Sequence, residues 1–418
     1  MLMKKTYKVI IIGGGVAGLS AAVTCGRKFG RGSVAVIEKQ KRTGRKLLAT
    51  GNGRCNISNN LMSELHYSGD RELISSVVSY FSVSDMKKFL SGLGILVREN
   101  DFGSGRLYPF SNQASTVLDM LRLALVRYGV DEITEMDIKA INKTNNTFEI
   151  TCGNGTFYSE YIIFATGSKA SPSLGADDSG YQLLKSLSIK STKLFPALSP
   201  VETKEKYNLL KGVRAKGSVN VIADGNFLTQ DIGEIQFTDR SLSGICVFNI
   251  SGCVNEYLYY GTVSGKLCKE MMISLDVMHE YSRDDVCAYL RKARQIFRER
   301  KPTEILSAVL NKKLAEVIVI YSGIRKKSCK ELDENDIQQI AECVKDFRFT
   351  PVRFDSFKTA QVCAGGIGSD EVFADTFMSK KVKNLYICGE LLNVYGECGG
   401  YNLHFAVGSA IIAAKNIK

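Results

Sequence analysis

Three groups of residues have the types and spacing to do chemistry on a nucleotide. Gly13, Gly15 and Gly18 follow G-x-G-x-x-G, with Val16 and Ala17 between the last two. Such a turn needs one glycine for the reversal from strand to helix and one where a pyrophosphate approaches the backbone. A third lets the helix sit close on the strand. The phosphates then face free N–H groups and the positive end of the helix dipole. Glu38 stands about twenty residues past Gly18, where a carboxylate accepts from adenosine ribose hydroxyls. These features alone define a dinucleotide site, with NAD and FAD equally open.

The second group, residues 39–56, alternates basic residues with glycines, and Gly51-Asn52-Gly53 marks a turn. It is expected beside the pyrophosphate and then under an isoalloxazine ring, with Asn52 and Asn56 within reach of the ring edge. Cys55 has no paired cysteine and reads as packing or as a ring neighbour. The third group is Gly399-Gly400-Tyr401-Asn402-Leu403-His404. A glycine pair opening an apolar helix again offers bare N–H groups. Aimed at the flavin pyrimidine edge, they favour the negative charge of the reduced ring. Tyr401 and His404 are weak candidates for acid–base work, with packing and helix capping as the competing roles. Arg54 and Glu397 are similar cases.

The elements that must position these groups are legible in outline. Residues 7–12 and 33–37 are Val/Ile-rich runs that read as buried parallel strands flanking a helix. Residues 71–81 and 84–93 have helical spacing. Residues 105–109 read as a short strand, and 112–128 as a helix capped by Ser111. Residues 137–143, 147–152 and 155–159 alternate as an antiparallel meander, and 161–167 read as another buried strand ending in A-T-G. Residues 199–250 read as short β segments. Helical patterns follow at 283–300, 303–310, 312–321 and 334–347. Residues 385–390 read as a buried strand before the C-terminal helix, which runs to about residue 414. The expected organisation is a discontinuous dinucleotide domain, 1–195 and 349–418, interrupted by an insert at 196–348. The insert divides into a β part, about 196–275, and a helical part, about 276–348.

Hydrophobic residues make up 44% and charged residues 23% of the 418, an ordinary globular balance. No apolar run is long enough to span a bilayer. An N-terminal signal peptide is rejected because cleavage would destroy the glycine turn. Twelve scattered cysteines without a C-x-x-C pair fit a reducing cytoplasm, and three histidines make a multi-histidine metal site an unfavoured reading. The net charge of +12 reads as a solvated basic surface with phosphate-facing residues. A nucleic-acid surface on the basic helical segment is disfavoured, because aromatic residues between the basic ones are sparse. Oligomeric state is not readable.

With both ends read, the chain resembles the BaiN/RdsA-type (aminoacetone-oxidase-like) FAD-dependent oxidoreductases. The matching segments are G-R-K-L-L-A-T-G-N-G-R-C-N (44–56), G-R-L-Y-P-F-S (105–111), A-T-G (165–167) and F-P-A-L-S-P (195–200). A-G-G-I (364–367), M-S-K-K-V-K-N-L-Y-I-C-G-E (378–390) and G-G-Y-N-L (399–403) complete the set. The resemblance implies an α/β fold: an FAD-binding Rossmann-like domain of glutathione-reductase type with an inserted β-barrel-like plus helical domain. It implies FAD contacts at Gly13, Gly15, Val16, Ala17, Gly18, Glu38, Lys39, Lys46, Asn52, Gly53, Arg54, Cys55 and Asn56. Further contacts are implied at Ile138, Thr166, Gly167, Gly389, Glu390, Gly400, Tyr401, Asn402 and Leu403. One segment departs from the family: where relatives read F-T-H-x-G-x-S-G-P, this chain has Asp239 for the histidine and Ile245 for the proline. The leading expectation is an NAD(P)H-dependent reductase of a conjugated, bile-acid-like enone, with the nicotinamide binding transiently. A flavin oxidase of an aminoacetone-like amine using O₂ stays open, as does a flavoprotein that holds nucleic acid through the basic insert.

Overall fold

The computed structural model describes residues 3–100, 103–153, 155–353 and 356–418. It divides into two compact units, 1–194 with 361–418, and 195–360.

The first unit is built on a parallel sheet. Strands Asp131–Ile133, Val34–Ile37, Met3–Ile12, Gly155–Phe164 and Leu385–Ile387 lie side by side, all parallel. In register, Ile10 faces Ala35 on one side and Ile162 on the other, and Ile162 faces Leu385. These strands are Val/Ile runs because both faces of the sheet are covered; Ile10, Ile11, Val36, Ile163 and Ile387 are buried. The meander and the A-T-G strand of the sequence reading share one strand. The first half of Gly155–Phe164 pairs antiparallel with Thr147–Cys152, and its second half runs between the first strand and Leu385–Ile387. One extended segment thus leads the chain from the meander into the parallel core.

The helix expected from residue 112 starts at Ala114. Asn112 has φ +56°, and Gln113, not Ser111, precedes the first turn without a side-chain cap. Helix Tyr401–Asn416 is buried along nearly its whole length and packs against Val16–Phe29.

The second unit carries six antiparallel strands in the order Val201–Glu202, Ser241–Ser243, Asn226–Phe237, Arg214–Ala223, Met271–Asp276, Phe347–Phe349. Its two edges meet: Thr203 bridges Pro351, Lys204 N donates to Thr350 O at 2.8 Å, and Val352 N donates to Glu202 O at 2.9 Å. The sheet is therefore closed into a small barrel, filled by Val219, Ile235, Ile273 and Phe349. The β reading of residues 199–250 runs six residues too far at its end. Helix Ile245–Tyr260 opens at Gly244, whose φ is +108°. Helices Arg283–Ile296, Pro302–Leu306, Lys312–Tyr321 and Glu334–Lys345 form the rest. Capping boxes at Ser282 and Asp333 and a cap at Asn311 fix where three of them start.

Candidate functional site: a glycine turn and a second glycine-opened helix

At the end of the first strand Gly13 has φ +102°, and a Cβ there would lie 2.5 Å from Ala165 O. A Cβ on Gly18 would fall 1.9 Å from Gly13 O. Both glycines are demanded by the chain itself. Gly15 differs, because a Cβ there would meet nothing within 4 Å. Its backbone is extended, and no side chain caps the helix that follows. The first turn of Val16–Phe29 therefore presents bare N–H groups beside open space, which suits an anion. Glu38 closes the turn from the neighbouring strand: Oε2 accepts from Gly14 N at 2.7 Å and Oε1 from Gln40 N at 2.7 Å. Ala17 also borders Gly389, where a Cβ would come within 2.9 Å of it, and Gly389 N donates to Ser409 Oγ at 3.0 Å.

The basic loop folds as the short helix Arg45–Ala49 and a tight turn. Gly51, Asn52, Gly53 and Cys55 all have positive φ, between +54° and +81°. Arg54 Nε donates to Gly51 O at 3.2 Å, and its guanidinium lies 5.2 Å from the Tyr108 ring centroid. Cys55 is buried, which pushes its thiol up to about 12 and keeps it neutral. Lys46 Nζ meets Glu390 Oε2 at 2.7 Å. Glu390 Oε1 accepts from Ser168 Oγ at 2.6 Å and Cys363 N at 3.1 Å. Lys39 is turned toward Asp177 at 2.8 Å and Asp137 at 3.4 Å, beside Ile138, which opens its strand.

At the second glycine group, Gly400 has φ +99°, and a Cβ would lie 2.3 Å from Ser58 O and 2.8 Å from Asn56 Oδ1. The helix after it again lacks a side-chain cap. Asn402 bonds Gly396 through both ends of its amide, accepting from N at 2.8 Å and donating to O at 2.7 Å, and Leu403 packs on the core. His404 is fully buried. Its Nε2 donates to Phe81 O at 2.9 Å, and its Nδ1 accepts from Ser58 Oγ at 2.8 Å. Burial drives its pKa down to about 4. Those surroundings make it a neutral brace for the helix rather than the acid–base group the sequence offered. Tyr401 is also buried; burial and Glu397 raise its hydroxyl to about 12, against a smaller opposing effect of Arg106.

Sequence reasoning missed His66. Its Nδ1 lies 2.8 Å from Glu397 Oε2, and its ring stacks on Tyr401 with centroids 4.4 Å apart. Strand Tyr67–Gly69 pairs with Val394–Gly396 and sets the two residues side by side. No local pattern signals a pair 331 residues apart.

Whether these residues suit FAD can be tested on buried polar atoms. Five buried side-chain oxygens lack a hydrogen-bond partner among the described residues, and two belong to Asn56 and Thr166. Thr166 borders the first glycine turn and Asn56 the second. An orphaned buried acceptor costs about 1–3 kcal/mol, so its place at both turns fits a polar ligand reaching from one to the other. Gly167, with φ +74° and nothing within 4 Å of its Cβ position, leaves further room. Among the described residues no cluster of three or more His, Cys, Asp or Glu could hold a metal, and no helix is long and apolar enough to cross a membrane.

The fold and these turns define an FAD-dependent oxidoreductase with a Rossmann-type cofactor domain. The chain belongs to the family described as "HI0933-like protein Rossmann domain", whose family model matches residues 7–416. It is 34% identical over 415 residues, 98% of each chain, to a 3-dehydro-bile acid delta(4,6)-reductase of Clostridium scindens. It is 26% identical over the full length of both chains to a ribosomal RNA dihydrouridine synthase of Haemophilus influenzae. Among solved structures, the open conformation of a flavocytochrome c3 fumarate reductase is similar, with TM-score 0.50 and 14% identity, covering 99% of this chain and 78% of that one. At that identity the likeness is one of fold.

Proposed function

We propose that this protein is an NAD(P)H-dependent flavoprotein reductase that saturates a carbon–carbon double bond conjugated with a carbonyl. The observation that carries the reading is the 34% identity over 98% of both chains to a protein named for such a reaction. The second relative's name describes the same chemistry, since the C5=C6 bond of uracil is conjugated with the C4 carbonyl. Bound FAD would supply hydride transfer to and from a carbon.

The chain's own residues do the holding. Gly13, Gly15, Val16, Ala17 and Gly18 present the helix N-terminus to the pyrophosphate. Glu38, Lys39 and Ile138 border the adenosine end. Lys46, Glu390, Thr166, Gly167 and Gly389 line the middle. Asn52, Gly53, Arg54, Cys55 and Asn56, with Gly400, Tyr401, Asn402 and Leu403, border the ring. The neutral Cys55 thiol adds no charge there, and the uncapped helix at Gly400 favours negative charge. The substrate proposed first is a bile-acid-like 3-oxo-diene.

A second substrate reading, uracil in RNA, draws support from the basic helical part of the second unit. Lys292, Arg298, Lys312, Lys313 and Arg325 are exposed there, and Phe297 stands 50% exposed beside Arg298. Arg291 and Arg294, by contrast, are engaged by Glu334 and by Leu332 O.

Anaerobic stopped-flow tests these readings. Mixing the oxidised FAD-loaded protein with NADH or NADPH is expected to bleach the flavin band, and a 3-oxo-4,6-diene bile acid to restore it. Restoration by a uridine-containing ribosomal RNA fragment alone would move the substrate to RNA. Bleaching by aminoacetone and by neither nicotinamide would replace the reductase with an oxidase.

A further inference from the structure

Saturating a conjugated double bond needs a proton as well as a hydride, and neither weak acid–base candidate of the sequence is suited to give it. His404 is buried with both nitrogens engaged. Tyr401 is buried, its ring stacked on His66 and packed edge-on against Tyr67, and burial and Glu397 raise its hydroxyl to about 12. We propose that His66, oriented by Glu397, is the proton donor of the reaction; this rests on the reductase reading above.

The arrangement is that of an oriented acid. Glu397 Oε2 lies 2.8 Å from His66 Nδ1, and Glu397 N donates to His66 O at 2.9 Å, so side chain and backbone are tied to the same residue. The bond to Nδ1 fixes the ring's tautomer and orientation and leaves Nε2 to carry the mobile proton. Nε2 has no hydrogen-bond partner among the described residues, and the side chain is 32% exposed, so water can reach it. The ring stacks on Tyr401 at 4.4 Å with planes 21° apart. Tyr401 follows Gly400, which borders the orphaned Oδ1 of Asn56. The histidine–carboxylate pair therefore packs on the first residue of the helix whose N-terminal glycine borders that orphaned oxygen.

A dihydronicotinamide, by way of bound FAD, is the source of the hydride and its two electrons. A hydride added at the β carbon leaves an electron pair shared between the α carbon and the carbonyl oxygen. That pair takes H⁺ from His66 Nε2: the N–H bond breaks, the α C–H bond forms, and a proton from solvent is returned to Nε2. The substrate gains two hydrogens and two electrons, and the dihydronicotinamide is oxidised.

The test uses full-length protein loaded with FAD, a 3-oxo-4,6-diene bile acid as probe, and His66→Gln beside Glu397→Gln. Flavin content by absorbance and bleaching by nicotinamide are expected to match wild type in both variants. Reoxidation of the reduced flavin by the probe is expected to slow about 10²–10⁴-fold in His66→Gln, the usual worth of a positioned acid, and less in Glu397→Gln. In D₂O, wild type is expected to place deuterium on one face of the α carbon, and His66→Gln on both.

A readout independent of turnover is ¹⁵N NMR of the three histidines, with His66→Gln assigning the signal. The neutral ring is expected as the Nδ1–H tautomer in wild type, shifting toward Nε2–H in Glu397→Gln. Unchanged reoxidation and deuteration face in His66→Gln, or an Nε2–H tautomer in wild type, overturns the proposal while the reductase reading stands. A wild-type protein that nicotinamide reduces but no enone reoxidises overturns both.

Discussion

Two long helices of the first unit open on a glycine without a side-chain cap, Val16–Phe29 after Gly15 and Tyr401–Asn416 after Gly400. In sequence they look alike, yet the two glycines are there for different reasons. Gly15 is extended, a conformation any residue adopts, and a Cβ would meet nothing within 4 Å. Gly400 has φ +99°, and its Cβ would strike Ser58 O at 2.3 Å. Folding requires a glycine at the second position and does not at the first. A small residue that the chain does not need points to something outside the chain, and a helix N-terminus points to an anion. Where Asp70, Ser82, Ser282 and Asp333 stand before other helices, their side chains satisfy the first N–H groups.

The contrast predicts opposite outcomes for one substitution. Gly400→Ala adds a side chain in the left-handed region against a backbone carbonyl that cannot rotate away. It is expected to destabilise the FAD-free protein by about 3 kcal/mol or more. Gly15→Ala is expected to cost the FAD-free protein at most about 1 kcal/mol, the difference between glycine and alanine before a helix, while weakening FAD binding by about tenfold or more. Urea denaturation of the FAD-free proteins and fluorescence titration with FAD measure the two separately. Equal losses of stability in the two variants would erase the distinction.

The second helix is held by the chain through His404, and pH exposes that hold. Burial lowers the folded pKa from 6.5 to about 4, so between those values the unfolded chain binds more protons than the folded one. Stability then rises with pH across that window. The contribution is complete above about pH 6.5, declines as pH falls toward 4, and is constant below. At 1.36 kcal/mol per pKa unit the full change is about 3 kcal/mol, and no solvent discount applies to a ring with 0% exposure. His404→Gln, neutral throughout, is expected to show a flatter urea-midpoint profile between pH 4 and 6.5. The same slope in both proteins would mean that the ring is not buried in solution.

What the sequence made legible follows from the same contrast. Gly13, Gly18 and Glu38 were readable because a strand–turn–helix needs those residue types at those intervals whatever surrounds it. The parallel strands were readable because burial on both faces leaves Val/Ile runs. Helix Ile245–Tyr260 was read as strand at its start because apolar residues lie on nearly every side of it, so no stripe of period 3.6 stands out. The barrel closure rests on Thr203 and Pro351, far apart in sequence and outside any strand pattern. The His66–Glu397 pair depends on the register of two three-residue strands from opposite ends of the chain, and that register is a property of the folded unit.

The smallest expected effect is the sharpest test of whether the second turn belongs wholly to the chain. Asn56 Oδ1 is buried beside Gly400 and has no partner among the described residues. If that oxygen served folding, Asn56→Ala would destabilise the FAD-free protein. An unpaired acceptor does the reverse, because removing it removes a desolvated polar atom. Stability without FAD is therefore expected to stay level or rise by up to about 1 kcal/mol. FAD affinity is expected to fall about tenfold, the worth of one hydrogen bond of about 1.4 kcal/mol. A fall in stability without a fall in FAD affinity would assign Asn56 to the chain, and the ligand-facing role would contract to the first turn at Gly15 and Thr166.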